Sequence, residues 1–472
     1  MAWPEREADV RFDRMMESER LALPMRVLTV LAGLALLLPI GIQFIGEESV
    51  YAFFLENMMK TGDALHAFYR PPLFLWAAWG IKALLGDVSP EIPLRLVSIG
   101  ASWLGALVAA AFARESFGGR HAPWLAALGF LLVGEVQFWY GWLGYADAMF
   151  HCFVFASMTS AWLAARRRSL GWLAAGVAAA NLAFMTKSLI AYTFFFSTLG
   201  LAAWMFGAIR FVLRPASLLI LSASLAGPWF WEHAHGGNGG ATASLMHDIA
   251  MRFNSFDPLS YLRHMAEVGF QFTARTLPVL ALVAWHVIAR KEPFLSGDSG
   301  RMLVVLGVNL LPFLLAPQSG MRHLVPLYGW ASLILTWWAL HFDARMTRRL
   351  VMVATVTLAL KVPYSFAALP YLKEHGPNHA FRPIVQEVAG VTRCKAGLRL
   401  ADDSFVGFSV MMYYSRLCHV RAPLRFLAAG DQDVYVFAYD RVPQGRVVKA
   451  YEIFGGKRYL EYIGHAGRGE GK

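Results

Sequence analysis

Long apolar runs recur from Met25 to Pro370, separated by short arginine-rich polar segments. VLTVLAGLALLLPIGIQFI over 27–45 and LLILSASLAGPWFW over 218–231 are two of them. About 20 apolar residues in helical form cross a hydrocarbon core about 30 Å thick. On that measure the pattern predicts about eleven spans, near 25–46, 92–113, 121–141, 147–165, 169–186, 188–208, 215–232, 271–289, 302–317, 324–342 and 349–369. The run PPLFLWAAWGIKALLG (71–86) is shorter, opens on two prolines and carries Lys82. It predicts a helix lying in the membrane interface, as does the amphipathic SVYAFFLENMMKT (49–61). Two polar segments between spans are long, 47–91 and 233–270. Beyond 370 helix-like FRPIVQEVAG alternates with strand-like GLRLA, DVYVFAY and RVVKAYEIF, which predicts a small α/β domain over 371–472. Its last residues, GHAGRGEGK, have the composition of a disordered tail. The expected fold is an all-α polytopic membrane domain, 25–370, with that small domain appended.

Composition agrees with a membrane protein. Of 472 residues, 57% are hydrophobic and only 16% charged, against about 25% charged in a typical soluble domain. The first 24 residues are charged and mixed in sign, with no cleavable leader pattern, and read as a cytoplasmic lead-in to a retained anchor. The net charge of +11 would suit nucleic acid only if it were clustered on a soluble face. Instead the basic residues sit in alternate short loops, such as Arg114 with Arg120, Arg166–Arg167–Arg168, Arg210 with Arg214, and Arg345 with Arg348 and Arg349. Such alternation sets topology, with these loops cytoplasmic. The segments 47–91, 233–270 and 371–472 are then extracytoplasmic, which for a bacterial inner (plasma) membrane means periplasmic; an endoplasmic reticulum setting fits the same pattern. Of three cysteines, Cys152 falls in an apolar span. Cys394 and Cys418 are able to bridge if their domain is extracytoplasmic and the geometry allows.

With topology fixed, the ionisable residues of the membrane part gather near one face. Glu47 and Glu48 leave the first span, Arg70 precedes Pro71–Pro72, Asp147 opens the fourth span, Lys187 closes the fifth, and Arg322 with His323 begins the tenth. Each has an ordinary reading alone: a solvated helix end for the glutamates, an N-cap for Asp147, a snorkelling side chain for Lys187, headgroup contacts for the arginines. Together, carboxylates and cations at headgroup depth suit a lipid-phosphate substrate. A carboxylate within reach of an acceptor hydroxyl serves as general base, and cations stabilise a departing phosphate, for which arginine has the matching fork. His233, His235 and His247, beside Asp248, would ligate a metal only if the H-x-H run were a strand; the Gly-rich HGGNGGA context fits a loop that orders over substrate. Arg95, Arg275 and Lys361 fall in or beside spans and have no partner assignable from sequence.

The order of these motifs resembles the GT-C glycosyltransferases, in particular the branch of aminoarabinose lipid A transferases and protein O-mannosyltransferases. The matching residues are Gly46–Glu47–Glu48–Ser49–Val50–Tyr51, Thr61–Gly62–Asp63 leading to Arg70–Pro71–Pro72–Leu73, Tyr145–Ala146–Asp147–Ala148, Met185–Thr186–Lys187, Gly227–Pro228–Trp229 and Arg322–His323–Leu324–Val325–Pro326. The resemblance covers about residues 25–345. It implies an inverting transferase with a polyprenyl-phosphate sugar donor and a glycolipid (such as lipid A) or protein acceptor. It implies Glu47 and Asp147 as catalytic residues, and Glu48, Tyr51, Arg70, Lys187 and Arg322 as substrate contacts. Glu47 departs from the family's usual Asp by one methylene. The resemblance leaves a divalent metal ion open as cofactor, but Tyr69 stands where a ligating carboxylate would precede the basic-Pro motif, so no metal ligands are carried over. The alternative function is a transporter or flippase of a lipid-linked or small substrate. Transporters show internal repeats and polar sites near the midplane; this sequence has neither. A scaffold presenting the C-terminal domain leaves the one-sided carboxylates unexplained.

Overall fold

The computed structural model describes residues 21–464, apart from 66–69, 236–245, 248–249, 252–256, 277–279, 282–283, 286–287, 289–296, 315–323, 342–343, 376–379, 396 and 444. Helix α1 (Leu21–Ala35) gives way to tight i→i+3 turns that run on to Ile42, because Pro39 can supply no helical N–H. The first expected span is therefore helical only in its first part. The two segments expected to lie at the interface are helices, α2 (Glu48–Thr61) and α3 (Leu73–Leu85).

The bundle continues through α4 (Glu91–Ser116), α5 (Ala122–Leu131), α6 (Ala146–Arg167), α7 (Leu170–Thr186) and α8 (Ile190–Met205). Past α5 the chain resumes helical form only as a π turn over Val136–Tyr140. There Glu135 enters the interior and pairs with Arg275 at 2.9 Å. A 3-10 turn joins α9 (Pro215–Ser222) to α10 (Ala226–Ala234). Helices α11 (Pro258–Thr276), α12 (Gly297–Leu314), α13 (Val325–His341) and α14 (Ala344–Pro363) follow. A π turn then leads into α15 (Leu369–Glu374). Among the described residues, three stretches are long and apolar enough to cross a membrane: Glu91–Ser116, Ala146–Arg167 and Thr347–Glu374.

Helix α11 departs from expectation, since 258–270 reads as loop and 271–289 as span. Val268 is buried, Phe272 stacks on Tyr328 with ring centroids 4.8 Å apart, and His264 Nε2 lies 2.9 Å from the Phe313 carbonyl oxygen. Val268 and Phe272, one turn apart, give the helix an apolar edge that docks it on the bundle.

Apart from the interior Glu135–Arg275 pair, two sets of charged residues mark opposite ends of α4 and α6. Arg167 pairs with Glu115 at 2.6 Å and Arg166 with Asp298 at 3.0 Å, which gathers the ends of α4 and α6 with the start of α12. Glu91 and Asp147 mark the opposite ends of α4 and α6. The 22 residues of α6 span about 33 Å, enough to set the two charged ends across a hydrocarbon core.

The last segment is an α/β unit: α16 (Phe381–Thr392), β1 (Leu398–Leu400), α17 (Phe405–Leu417), β2 (Val434–Ala438), β3 (Arg446–Ile453) and β4 (Gly456–Ile463). The strand order is β1-β2-β4-β3, with β1 parallel to β2 and the other pairs antiparallel. A Cys394–Cys418 disulfide joins the ends of α16 and α17. This unit is continuous with the bundle core. Helix α17 lies along α2: Phe53 and Phe408 rings are 4.7 Å apart, Ser49 donates to the Phe405 carbonyl at 2.8 Å, and the Asn57 amide exchanges hydrogen bonds with the Leu424 backbone at 2.8 and 3.0 Å.

Candidate active site

The site is built where the turns after α1 meet the loop before α6. Gly46 has φ +58, and a β-carbon there would stand 2.4 Å from the Tyr145 hydroxyl oxygen, so both backbone and space require glycine. That hydroxyl donates to the Ile45 carbonyl at 2.8 Å and accepts from the Glu47 N–H at 2.9 Å. Tyr145 thus clips the two sides of Gly46 and sets where the Glu47 backbone lies. The Glu47 side chain is exposed, at the N-cap of α2.

Glu48, one residue on, is sealed inside. Its carboxylate accepts from Arg95 Nε at 2.8 Å and Arg95 Nη2 at 2.5 Å, and from the backbone N–H groups of Ile45 at 2.8 Å and Gly144 at 2.6 Å. Arg95 also donates to the carbonyls of Ile40, Ile42 and Gln43 at 3.0, 2.6 and 3.1 Å. The pair therefore satisfies the polar backbone left open where α1 ends, in surroundings without water to do so. Glu48 and Arg95 are both 0% exposed. Glu48, expected as a substrate contact, has four donors on its oxygens and no exposed surface, and it holds the turn. Tyr51 is likewise buried, packed edge-on to Phe74 at 5.3 Å and 6.3 Å from the Tyr145 ring.

Asp147 lies in the first turn of α6, two residues after Tyr145. Ser98 donates to the Tyr145 carbonyl at 3.1 Å and Ser102 to the Gly141 carbonyl at 2.8 Å, so α4 pins the loop that leads to it. Lys187, at the C-cap of α7, reaches Asp147 Oδ1 with Nζ at 2.5 Å. His151, one turn along α6, places Nε2 3.7 Å from the same oxygen. All three are nearly inaccessible.

The expected residues therefore fall into three groups. Glu47 and Glu48 share the Tyr145 clip and its turn, Asp147 and Lys187 are paired, and Arg70 is half-buried just before α3. Arg322 and His323 lie outside the described residues. Sequence reading missed Tyr145 as a positioning group and His151; the Asp147-x-x-x-His151 spacing on one helix face was the available signal for the latter. The unassigned cations all find partners. Arg95 takes Glu48, Arg275 takes Glu135, and Lys361 donates to the Gln137 carbonyl at 2.6 Å.

Among the described residues no group of three His, Cys, Asp or Glu side chains is placed to hold a metal ion. His233 and His235 sit at the end of α10 rather than on a strand, and each Nδ1 lies 3.0 Å from a carbonyl of its own helix. Two residues apart on a helix, they face different ways and do not form a ligand pair. Asp248 lies outside the described residues.

The sequence matches no protein-family model and no curated protein. Solved structures do match. One is ArnT from Cupriavidus metallidurans bound to undecaprenyl phosphate, with a TM-score of 0.63 and 14% identity over 95% of this chain and 100% of that one. Another is ArnT from the same organism in the apo state, with a TM-score of 0.63 and 14% identity over 94% and 98%. The likeness runs through the C-terminal α/β unit as well as the helical bundle, and the chain has the fold of ArnT, a GT-C enzyme of the aminoarabinose lipid A transferase branch.

Proposed function

We propose that the protein is a membrane glycosyltransferase that moves a sugar from a polyprenyl-phosphate donor to an acceptor hydroxyl on an envelope glycolipid or a protein. The observation that carries this reading is the exposed Glu47 carboxylate at a backbone position fixed by Tyr145, two residues from Asp147. It occurs in a fold shared with an ArnT structure that holds undecaprenyl phosphate.

In this mechanism the acceptor oxygen attacks the anomeric carbon, the bond from that carbon to the phosphate oxygen breaks, and polyprenyl phosphate departs. The acceptor proton passes to Glu47, and configuration inverts because attack is from the face opposite the leaving group. Arg70 and Arg322 bind the phosphate. Asp147 and Lys187 hold each other in place as a buried ion pair beside the loop that carries Tyr145. Glu48 and Tyr51 act by position, through the α2 turn. The C-terminal unit and the site face the periplasm, in a bacterial inner membrane; the Cys394–Cys418 disulfide supports an oxidising compartment for that unit. Transport is less well supported, since the fold is shared with ArnT.

The test is transfer from a panel of polyprenyl-phosphate sugars to membrane extracts holding both lipids and proteins, read by mass spectrometry. A sugar-sized gain in one lipid or protein species establishes the class; no gain with any donor, from folded protein, defeats it.

A further inference from the structure

A second polar cleft lies away from Asp147 and Lys187, between the interfacial helices α2 and α3 and the end of α17. Its volume is about 490 Å³, against roughly 30 Å³ for one water, so it has room for a phosphate together with a sugar ring. Its floor is Glu56, bound by Lys60 at 3.4 Å and by Lys82. Burial works against the charge on Glu56, but Lys82 and Lys60 overcome it and hold the carboxyl below its ordinary value. One glutamate thus faces two lysines, and a positive charge is left over.

The wall adds more. Arg416 and Arg421 line the cleft, are exposed, and have no side-chain hydrogen bond or ion pair among the described residues. Asp87 is the other acid lining it, so the four Lys and Arg side chains outnumber the acids by two. An arginine at a helix end ordinarily complements the helix dipole, which accounts for Arg416 alone but not for Arg421 or for the convergence. The wall is also rigid. The disulfide at Cys418 ties it to α16. Val420 N–H closes on the Ser415 carbonyl at 2.8 Å, and Lys60 Nζ donates to the Val420 carbonyl at 2.7 Å and to the Ser415 hydroxyl at 3.2 Å. His419, between the two arginines, has φ +51, the left-handed turn that ends α17 and that the Val420–Ser415 bond closes.

We infer that this cleft binds the anionic group of a phosphorylated glycan, with Arg416 and Arg421 as its direct ligands and the Lys60–Glu56–Lys82 cluster as its positive floor. The backbone that carries both arginines is braced, and their planar donors match a phosphate. The inference deepens the transferase reading, on which it rests for its meaning: an acceptor carrying phosphate is anchored by the C-terminal unit while its hydroxyl is presented to the site.

The experiment measures binding to the full chain, with no donor present. The probes are glucose 6-phosphate on detergent-solubilised protein, with glucose as control, and phosphatidic acid against phosphatidylcholine in nanodiscs. Wild type binds the phosphate probe and not the neutral one. The Arg416→Gln/Arg421→Gln double variant weakens this at least tenfold with an unchanged thermal midpoint, and Arg416→Lys/Arg421→Lys retains part of it. Binding of the sugar phosphate identifies a soluble or glycan phosphate; binding only of phosphatidic acid identifies a lipid headgroup; either supports the site. Equal affinity in wild type and the Gln double variant, or no phosphate binding by wild type, overturns it. Because no transfer is read, a chain that binds phosphate here yet transfers no sugar defeats the transferase reading and leaves the cleft standing.

Discussion

The Tyr145 hydroxyl occupies the space that a side chain at Gly46 would need, and bonds the backbone on both sides of that glycine. The position of Glu47 therefore depends on a residue 98 positions away in sequence. Gly46→Ala has to move one of the two. A displacement near 1 Å at a reacting group costs about 10²-fold in rate, so we expect transfer to fall by about that factor while the protein still purifies folded. Tyr145→Phe removes the bridging hydroxyl, and we expect a loss of about tenfold, near the worth of one hydrogen bond at 1.4 kcal/mol per factor of ten. Transfer rates of the two variants, normalised to folded protein, check this; full activity in Gly46→Ala would contradict the clip.

Glu48 and Arg95 form a closed pair, and either charge alone would be stranded. Removing one partner of a buried pair costs about 3–5 kcal/mol, whereas an apolar replacement of both costs far less. Arg95 also serves the carbonyls of the α1 turn, so Arg95→Leu is expected to be the more damaging single change and Glu48→Leu the milder. The double variant should be no worse than Arg95→Leu. Thermal midpoints in one detergent read the order; a double variant losing the sum of both singles would contradict coupling.

The C-terminal unit is bonded to α2 along its length, through Ser49, Phe53, Asn57 and Lys60. Deleting 375–472 would strip α2 of this support, so it removes activity whatever the unit does for acceptor choice. A finer probe is Asn57→Ala, which leaves the Leu424 N–H and carbonyl without their partner. An unsatisfied backbone pair of this kind costs about 1–3 kcal/mol. Hydrogen exchange of α2 should quicken in that variant; unchanged protection would show that α2 holds without the unit.

Glu56 gives a pH signature. Burial opposes its charge, but Lys82 and Lys60 prevail and its carboxyl lies below the ordinary 4.5. A group with a depressed folded value contributes stability that is complete above the unfolded value and lost as pH falls through the folded one. Wild type should therefore lose thermal stability below about pH 4.5 more steeply than Glu56→Gln. Parallel curves for the two proteins would remove Glu56 from the account.

The helical architecture was legible in the sequence through its long apolar runs, and α2 and α3 were legible as separate helices through Pro71–Pro72 and their length. The arginine-rich segment 166–168 and Asp147 do fall at opposite ends of α6. Pairings over long sequence distance were not legible. Glu48 and Arg95 are 47 residues apart, and nothing local in either helix says that the second glutamate, rather than the first, is the buried one. Helix α11 was hidden because its apolar residues, among them Leu259, Leu262 and Phe270, are interrupted by Arg263, His264 and Glu267 and do not form one continuous run. The break after α5 was hidden because a single glutamate within an apolar run gives no sign of its partner, Arg275.

The central claim is tested most directly by Glu47. Rates of sugar transfer from the accepted polyprenyl-phosphate donor should be compared for wild type, Glu47→Asp and Glu47→Gln, at saturating donor and equal amounts of folded protein. A general base contributes about 10²–10⁴-fold. The account predicts a loss in that range for Glu47→Gln, with Glu47→Asp between it and wild type because the carboxylate remains but is drawn back by one methylene. Transfer by Glu47→Gln within a few-fold of wild type would contradict it, and would move the base to another carboxylate.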